Sequence, residues 1–284
     1  MMPAGTIDEV RTAIAQARQA GKTIGLVPTM GALHEGHLSL IEAARDRCGF
    51  VVVSIFVNPT QFAPGEDLAA YPRTPQADLA ACEARGVDVV FMPDFTQMYP
   101  DGCLTEVTVG DLGTTLCGAG RPTHFAGVCT VVAKLFNVVA PDYAFFGAKD
   151  FQQATIIQRM VADLNIPVEI VVCPTVRGPD GLAMSSRNAY LEASQRAQAA
   201  SLYESLCLAE RMIRQSRPAP AEVVAAMRQL LAERAPDGQV EYVEIVDPQT
   251  LKNVQTTQSR VLVALAVKIG PSRLIDNIVV DAAD

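Results

Sequence analysis

A Rossmann-like α/β domain with a parallel sheet at the N-terminal side, followed by a smaller α+β domain at the C-terminal side, is the fold class predicted here, on three observations. Short apolar runs recur at 23–27, 50–57, 87–92, 142–146 and 168–173, with helical patterns between most of them. That alternation means parallel strands joined by crossover helices. The rhythm stops near residue 177, where Arg177-Gly178-Pro179-Asp180-Gly181 is a string of turn formers without hydrophobic period. Beyond it, two helical patterns precede three strand-like runs, the order of an α+β domain. The expected domains are therefore 1–177 and 178–284, the second acting as a lid.

Each element has its own warrant. Thr6 to Glu9 has the T-x-x-E form of a capping box, and Ile7, Val10, Ile14 and Ala17 follow at helical spacing, which predicts a helix over 6–20. The first strand ends at Pro28, and a loop leads from it into a helix containing Leu38, Leu40 and Ile41. Thr74 is placed to cap a helix over 75–85, with Pro75 in the first turn where a missing N–H costs nothing. Helices over 195–215 and 221–234 are separated by Arg217-Pro218-Ala219-Pro220, and strands over 240–246, 260–267 and 274–280 follow. No internal repeat or low-complexity segment interrupts the pattern.

Composition narrows the function classes. With 284 residues, 49% of them hydrophobic, the chain can fill two cores without cross-links. Its seven cysteines (Cys48, Cys82, Cys103, Cys117, Cys129, Cys173, Cys207) are odd in number and scattered, with no C-x-x-C or zinc spacing, which predicts a reducing compartment. Met1-Met2-Pro3 runs straight into a polar helical pattern, and no apolar stretch approaches the roughly 18 residues needed to span a bilayer. A cytoplasmic protein without membrane association is expected. Lys plus Arg number 23 against 31 Asp plus Glu, a net charge of -8 with no basic cluster, which argues against nucleic acid as partner. A phosphate-bearing small ligand remains compatible, because it needs only a few local cations and backbone N–H groups.

The loop after the first strand, Thr29-Met30-Gly31-Ala32-Leu33-His34-Glu35-Gly36-His37, lies where such folds bind ligands. Gly31 and Gly36 allow close backbone approach, the new helix contributes unpaired N–H groups and roughly half a positive charge, and His34 and His37 add side-chain donors. Its H-x-G-H pattern resembles the signature of nucleotidyl transferases and class I aminoacyl-tRNA synthetases. A capping histidine or a two-histidine metal site would also account for the residues, although no third ligand sits at a usable spacing, so no metal ligand is assigned. The third histidine, His124, lies in a comparable segment. Met184-Ser185-Ser186-Arg187-Asn188 supplies two hydroxyls and a guanidinium beside Gly181, suited to closing on a triphosphate, or to capping a short helix.

Four further segments carry a family resemblance: Phe56-Val57-Asn58-Pro59-Thr60-Gln61-Phe62, Tyr71-Pro72-Arg73-Thr74, Arg121-Pro122-Thr123-His124-Phe125-Ala126-Gly127-Val128 and Phe146-Gly147-Ala148-Lys149-Asp150-Phe151-Gln152-Gln153. With the two loops above they closely resemble the pantothenate synthetase (pantoate-β-alanine ligase) family over about residues 20 to 190. The resemblance implies that pantoate carboxylate attacks the α-phosphorus of ATP, releasing pyrophosphate, and that the amine of β-alanine then displaces AMP. It implies an ATP site over Met30, Gly31, Ala32, Leu33, His34, Glu35, Gly36 and His37, over Gly147, Ala148, Lys149 and Asp150, at Val176, and over Met184, Ser185, Ser186 and Arg187. Within it Lys149, His34 and His37 serve the phosphates as the catalytic set, Asp150 and the Gly147 backbone the ribose, the Val176 backbone adenine, and Ser185, Ser186 and Arg187 the outer phosphates. Gln61 and Gln153 hold pantoate, while Gln61 and Asn58 border β-alanine. Neutral amides orient a carboxylate without neutralising it.

The same resemblance implies Mg2+ carried by the nucleotide, and a homodimer. For the amine step it implies His37 as acid/base group, with water or the departing phosphate as alternatives. Two positions depart from the family pattern, Cys117 standing where glutamate is usual and Ala148 replacing the glutamate of Phe-Gly-Glu-Lys-Asp, and Gln76-Ala77-Asp78 is also less acidic than expected. The competing expectations are another nucleotidyl transferase on the same scaffold and a nucleotide-sensing or RNA-binding protein that keeps the fold without chemistry.

Overall fold

A computed structural model describes residues 1–281. The chain divides into two compact units, the first made of Met1–Gly113, Arg121–Ala148 and Ile156–Pro174, the second of Thr114–Gly120, Lys149–Thr155 and the chain from Thr175 onward. Two short segments thus leave the first stretch of sequence to join the second unit.

The first unit holds a six-stranded parallel sheet in the order β1-β4-β3-β2-β5-β6. Its strands are β1 (Met2–Ala4), β2 (Ile24–Thr29), β3 (Phe50–Ile55), β4 (Val89–Phe91), β5 (Tyr143–Gly147) and β6 (Glu169–Cys173). Helices α1 (Ile7–Gln19), α2 (Glu35–Arg47), α3 (Pro75–Ala84), α4 (Phe95–Met98) and α6 (His124–Val139) belong to it, α5 (Cys117–Gly120) lies in the second unit, and α7 (Phe151–Asp163) runs from the second into the first. Val51, Val52 and Val53 in succession are wholly buried, as a strand covered on both faces requires. The predicted Rossmann-like architecture is therefore present. The sequence did not announce β1, because three residues carry no period; Pro3 is tolerated there since β1 is an edge strand.

Strand order decides where a ligand can enter. From β2 the chain proceeds to β3 on one side, while β5 lies on the other, pairing through Gly25 with Tyr143 and Leu26 with Ala144. A crevice therefore opens between the C-terminal ends of β2 and β5, the switch point at which open α/β sheets bind ligands. The loops leaving those ends begin at Met30 and Ala148.

The second unit is an antiparallel meander, β7 (Gln239–Val246), β8 (Val261–Ile269) and β9 (Ser272–Val280), joined by α8 (Ala193–Ala199), α9 (Ser201–Ser216) and α10 (Pro220–Arg234). Leu202, Leu206, Ile213, Val223 and Met227 of the helices pack with Val263, Leu265 and Val267 of the central strand. The single helix predicted over 195–215 is in fact two, broken at Ala200. Among the described residues, no helix is long and apolar enough to cross a membrane.

Candidate active site

The loop after β2 is shaped by one carboxylate that sequence reading passed over. Asp78, 2% exposed on α3, accepts Ala32 N–H at 3.0 Å on Oδ2 and Leu33 N–H at 2.8 Å on Oδ1. Thr74 was expected to cap α3 with its hydroxyl; instead it makes no cap bond to the helix backbone and donates to Asp78 Oδ1 at 3.1 Å. The hydroxyl is more useful there, because a buried carboxylate needs every donor within reach. Gly31 and Ala32 both take positive φ, 81° and 48°, and a Cβ on Gly31 would meet Ile55 at 3.0 Å and Asp78 at 3.1 Å. Met30 and Gly31 of the loop line a cavity of about 300 Å³ together with Asp78, Phe56, Arg73 and Phe95.

His34 and His37 cap α2 reciprocally. His34 Nδ1 accepts Gly36 N–H at 3.1 Å, and the His34 N–H points at His37 Nδ1 at 3.4 Å. With both Nδ1 atoms accepting, each neutral ring carries its proton on Nε2. The capping reading is thus realised through the Nδ1 edge of each ring. The rings lie 4.0 Å apart.

Gln61 sits on the 3-10 turn Pro59–Gln61 after β3, 9% exposed. Its Oε1 accepts from Asn58 Nδ2 at 3.1 Å and its Nε2 faces Met30 Sδ at 3.0 Å. Asn58 is 1% exposed with its amide occupied internally: Nδ2 also donates to Gly127 O at 3.1 Å, and Oδ1 accepts Thr60 Oγ1 at 2.9 Å and Tyr99 Oη at 3.1 Å. The Arg121–Val128 motif converges on this same turn. The Gln61 carbonyl lies 2.8 Å from His124 Nδ1 and receives Arg121 Nη2 at 3.3 Å, and a Cβ on Gly127 would fall 2.5 Å from Thr60 O. Arg121 is itself fixed by Glu66, through Nε–Oε1 at 2.5 Å and Nη2–Oε2 at 2.6 Å. Burial works to raise the Glu66 pKa, but the Arg121 guanidinium outweighs it and the net direction is down. His124 thus contacts the backbone of the Gln61 turn.

In the second unit, Lys149 Nζ lies 3.6 Å from Asp150 Oδ1, and its carbonyl receives Asn277 Nδ2 at 2.8 Å. The adjacent glutamines at the start of α7 differ sharply. Gln152, 6% exposed, takes Cys117 N–H at 3.0 Å and donates to Thr115 O at 2.7 Å, tying the 114–120 segment to the helix, whereas Gln153 is half-buried. Cys117 Sγ lies 3.2 Å from Tyr242 Oη and 3.6 Å from Arg273 Nη1, whose Nε donates to Glu241 at 2.8 Å. Burial, then Cys117, push the Tyr242 hydroxyl far above its ordinary value, so it is protonated and can donate to the sulfur.

The Ser185–Arg187 segment hangs from a short antiparallel turn. Met184 N–H donates to Val176 O at 2.9 Å, Arg177 pairs with Ala183 as a bridge, and Gly181 takes φ 81° at its tip. Ser185 Oγ caps the 3-10 helix Ser186–Tyr190 through Arg187 N–H at 3.3 Å. The helix-cap reading of that serine is thereby realised for the backbone, leaving the neighbouring Ser186 and Arg187 side chains half-buried.

The family described as pantoate-β-alanine ligase matches residues 4–279. A pantothenate synthetase of Moorella thermoacetica is 53% identical over 279 residues, 98% of each chain. One of Geobacter sulfurreducens is 52% identical over 263 residues, 93% of each. Among solved structures, pantothenate synthetase from Thermus thermophilus aligns with a TM-score of 0.93 at 43% identity, covering 98% of this chain and 99% of that one. Pantoate-β-alanine ligase from Francisella tularensis, complexed with β,γ-ATP and β-alanine, aligns at 0.80 and 36% identity over 98% and 97%. With the fold and the similarity over nearly the whole chain in agreement, the chain belongs to the pantoate-β-alanine ligase family, enzymes that join pantoate to β-alanine.

Proposed function

We propose that the enzyme activates pantoate with ATP as a pantoyl adenylate, releasing pyrophosphate, and then forms pantothenate and AMP by attack of β-alanine. The observation that supports this most directly is the reciprocal histidine cap on the loop that leaves β2, the strand beside β5, which in turn leads into Lys149. The complex of the Francisella relative with an ATP compound and β-alanine supports the choice of substrates.

Each residue then has a defined task. Pantoate carboxylate, with a pKa near ~4, is already an anion at neutral pH and needs alignment, not a base. Gln61 and Gln153 supply that alignment with neutral amides. Asn58 acts through Gln61, since its Nδ2 is engaged by Gln61 and Gly127 O and its Oδ1 by Thr60 and Tyr99. Lys149 and the two imidazole donors relieve charge at the α-phosphate, each such contact typically worth about 3 to 4 kcal/mol in the transition state. Asp150 and the Gly147 backbone take the ribose, the Val176 backbone takes adenine, and Ser185, Ser186 and Arg187 take the outer phosphates. Mg2+ would accompany the nucleotide on phosphate oxygens and water, the oxygens of the buried Asp78 already taking three donors from the protein. Bound there, it supplies charge neutralisation. The same reading includes a homodimer, checked by light scattering.

The histidine tautomer bears on the amine step. β-Alanine, with an amine pKa near ~10, is only about one part in a thousand neutral at pH 7. With Nδ1 committed to the cap, neutral His37 is a donor at Nε2 and takes up a proton there only after losing its present one. It is therefore assigned to phosphate stabilisation, and much of the second step to orientation, which alone can supply roughly 7 to 11 kcal/mol.

The deciding assay follows AMP and pyrophosphate release from ATP with pantoate, with and without β-alanine. Pantoate-dependent ATP–pyrophosphate exchange without β-alanine is expected; nucleotide cleavage indifferent to both acids would reject the reading. His37→Ala should depress that exchange itself. Exchange at the wild-type rate with only amide formation lost would instead make His37 the base of the second step.

A further inference from the structure

Strand β9 touches both nucleotide segments of the second unit, by its two opposite faces. Asp276 is 2% exposed and receives Arg177 Nη1 at 2.6 Å and Nη2 at 2.9 Å. Arg177 also donates to Gly181 O at 3.1 Å and lies 4.0 Å over the Tyr203 ring, so this one guanidinium closes the turn from which Ser185–Arg187 hangs. Ser272, four residues before Asp276 and hence on the same face, donates to the Arg187 carbonyl at 3.0 Å. Asn277 points the other way and donates to the Lys149 carbonyl at 2.8 Å. Its own N–H goes to Asp276 Oδ1 at 2.8 Å, linking the two attachments.

We propose that the Asp276-Asn277 pair is a positioning element that fixes the backbone of Lys149 at a set distance from the Ser185–Arg187 segment. Three features make the strand fit for this. It is paired with β8 without a bulge from Ser272 to Val280, so it does not stretch or slip. Its attachments on the lysine and on Arg187 are both to backbone carbonyls, which govern where a side chain starts without competing for its charge. A one-residue slip would exchange the faces of Asp276 and Asn277 and break both attachments at once. Asn277 and Asp276 touch no substrate in this proposal, which rests on the nucleotide reading given above; they act through Lys149 and Arg177.

The test is a double-mutant cycle on the full-length enzyme, read by pantoate-dependent ATP–pyrophosphate exchange. Asn277→Ala should lower kcat roughly 10- to 100-fold, the scale of a displacement near 1 Å at a reacting centre, with ATP KM changing far less. Asn277→Gln, which retains a donor, should recover part of that loss. In a Lys149→Ala background the same substitution should cost less than about twofold, because the group it positions is gone. A merely structural asparagine would cost the same factor in both backgrounds, and that additivity, or a kcat unchanged by Asn277→Ala, would overturn the proposal. Should Asn277→Ala fail to fold, Asn277→Ser carries the cycle to the same two outcomes. Wild-type enzyme silent in the exchange would overturn the functional reading first, and this inference with it.

Discussion

One added carbon at Gly127 probes how the acid-binding turn is held. A Cβ there would fall 2.5 Å from Thr60 O and 2.7 Å from Gln61 N, so Gly127→Ala must push α6 and the turn apart. The expected cost is about 1 to 3 kcal/mol of stability, together with a raised KM for pantoate, measured by denaturant unfolding and steady-state kinetics. A variant with wild-type values of both would show that Gln61 is not seated by α6. Glu66 adds a pH signature to the same turn. Its folded pKa is lowered by Arg121 against the opposing effect of burial, so its contribution is present above the ordinary carboxylate range and lost as pH falls through the lowered value. At this scale residue type was legible and role was not. Gln152 and Gln153 are identical neighbours, yet one is buried as a tie to Thr115 and Cys117 and the other is half-buried.

Elements carry the next set of constraints. Helix α2 is capped by a histidine where serine, threonine or aspartate is usual, and in the reading proposed above that histidine also serves the nucleotide. His34→Ala should lose about 1 kcal/mol of stability as well as turnover, whereas His34→Asn should recover the stability alone. Turnover restored by asparagine would mean that the imidazole Nε2 is dispensable. Asp78 is the matching device on α3. Asp78→Asn keeps the shape but turns one of the two acceptor oxygens into an NH2 donor, so that either Ala32 or Leu33 N–H loses its acceptor, bonds to a charged group being worth about 1.5 to 3 kcal/mol each. Lower Tm and a several-fold higher ATP KM are expected, and an unchanged KM would detach the loop from nucleotide binding. The capping box of α1 was legible in full from Thr6 and Glu9, since all its parts lie within four residues. The role of Asp78 was not, because its partners are 45 and 46 residues away in sequence.

Across the whole molecule, buried thiols set an alkaline limit. Burial raises Cys129 to about 11, and burial followed by the nearby Asp78 raises Cys82 to about 11, from an ordinary 9.0. The unfolded chain loses these protons first, so their contribution is full below about 9 and is lost as pH rises toward 11. Stability measured across that window should fall, and Cys82→Ala with Cys129→Ala should flatten the decline; an undiminished decline would refute the assignment. A thiol-specific chromogenic reagent at pH 8 should reach exposed Cys103 well before either of them. Period and local chemistry alone determined the parallel sheet, the α+β make-up of the second unit and the loops that flank the sheet, because strand alternation, caps and turns are encoded within a few residues. Strand order decided the rest. Only the tertiary structure places β5 beside β2 and, within the second unit, lays β9 against both Lys149 and the Arg177 turn, and no local pattern encodes which distant backbone a side chain will meet.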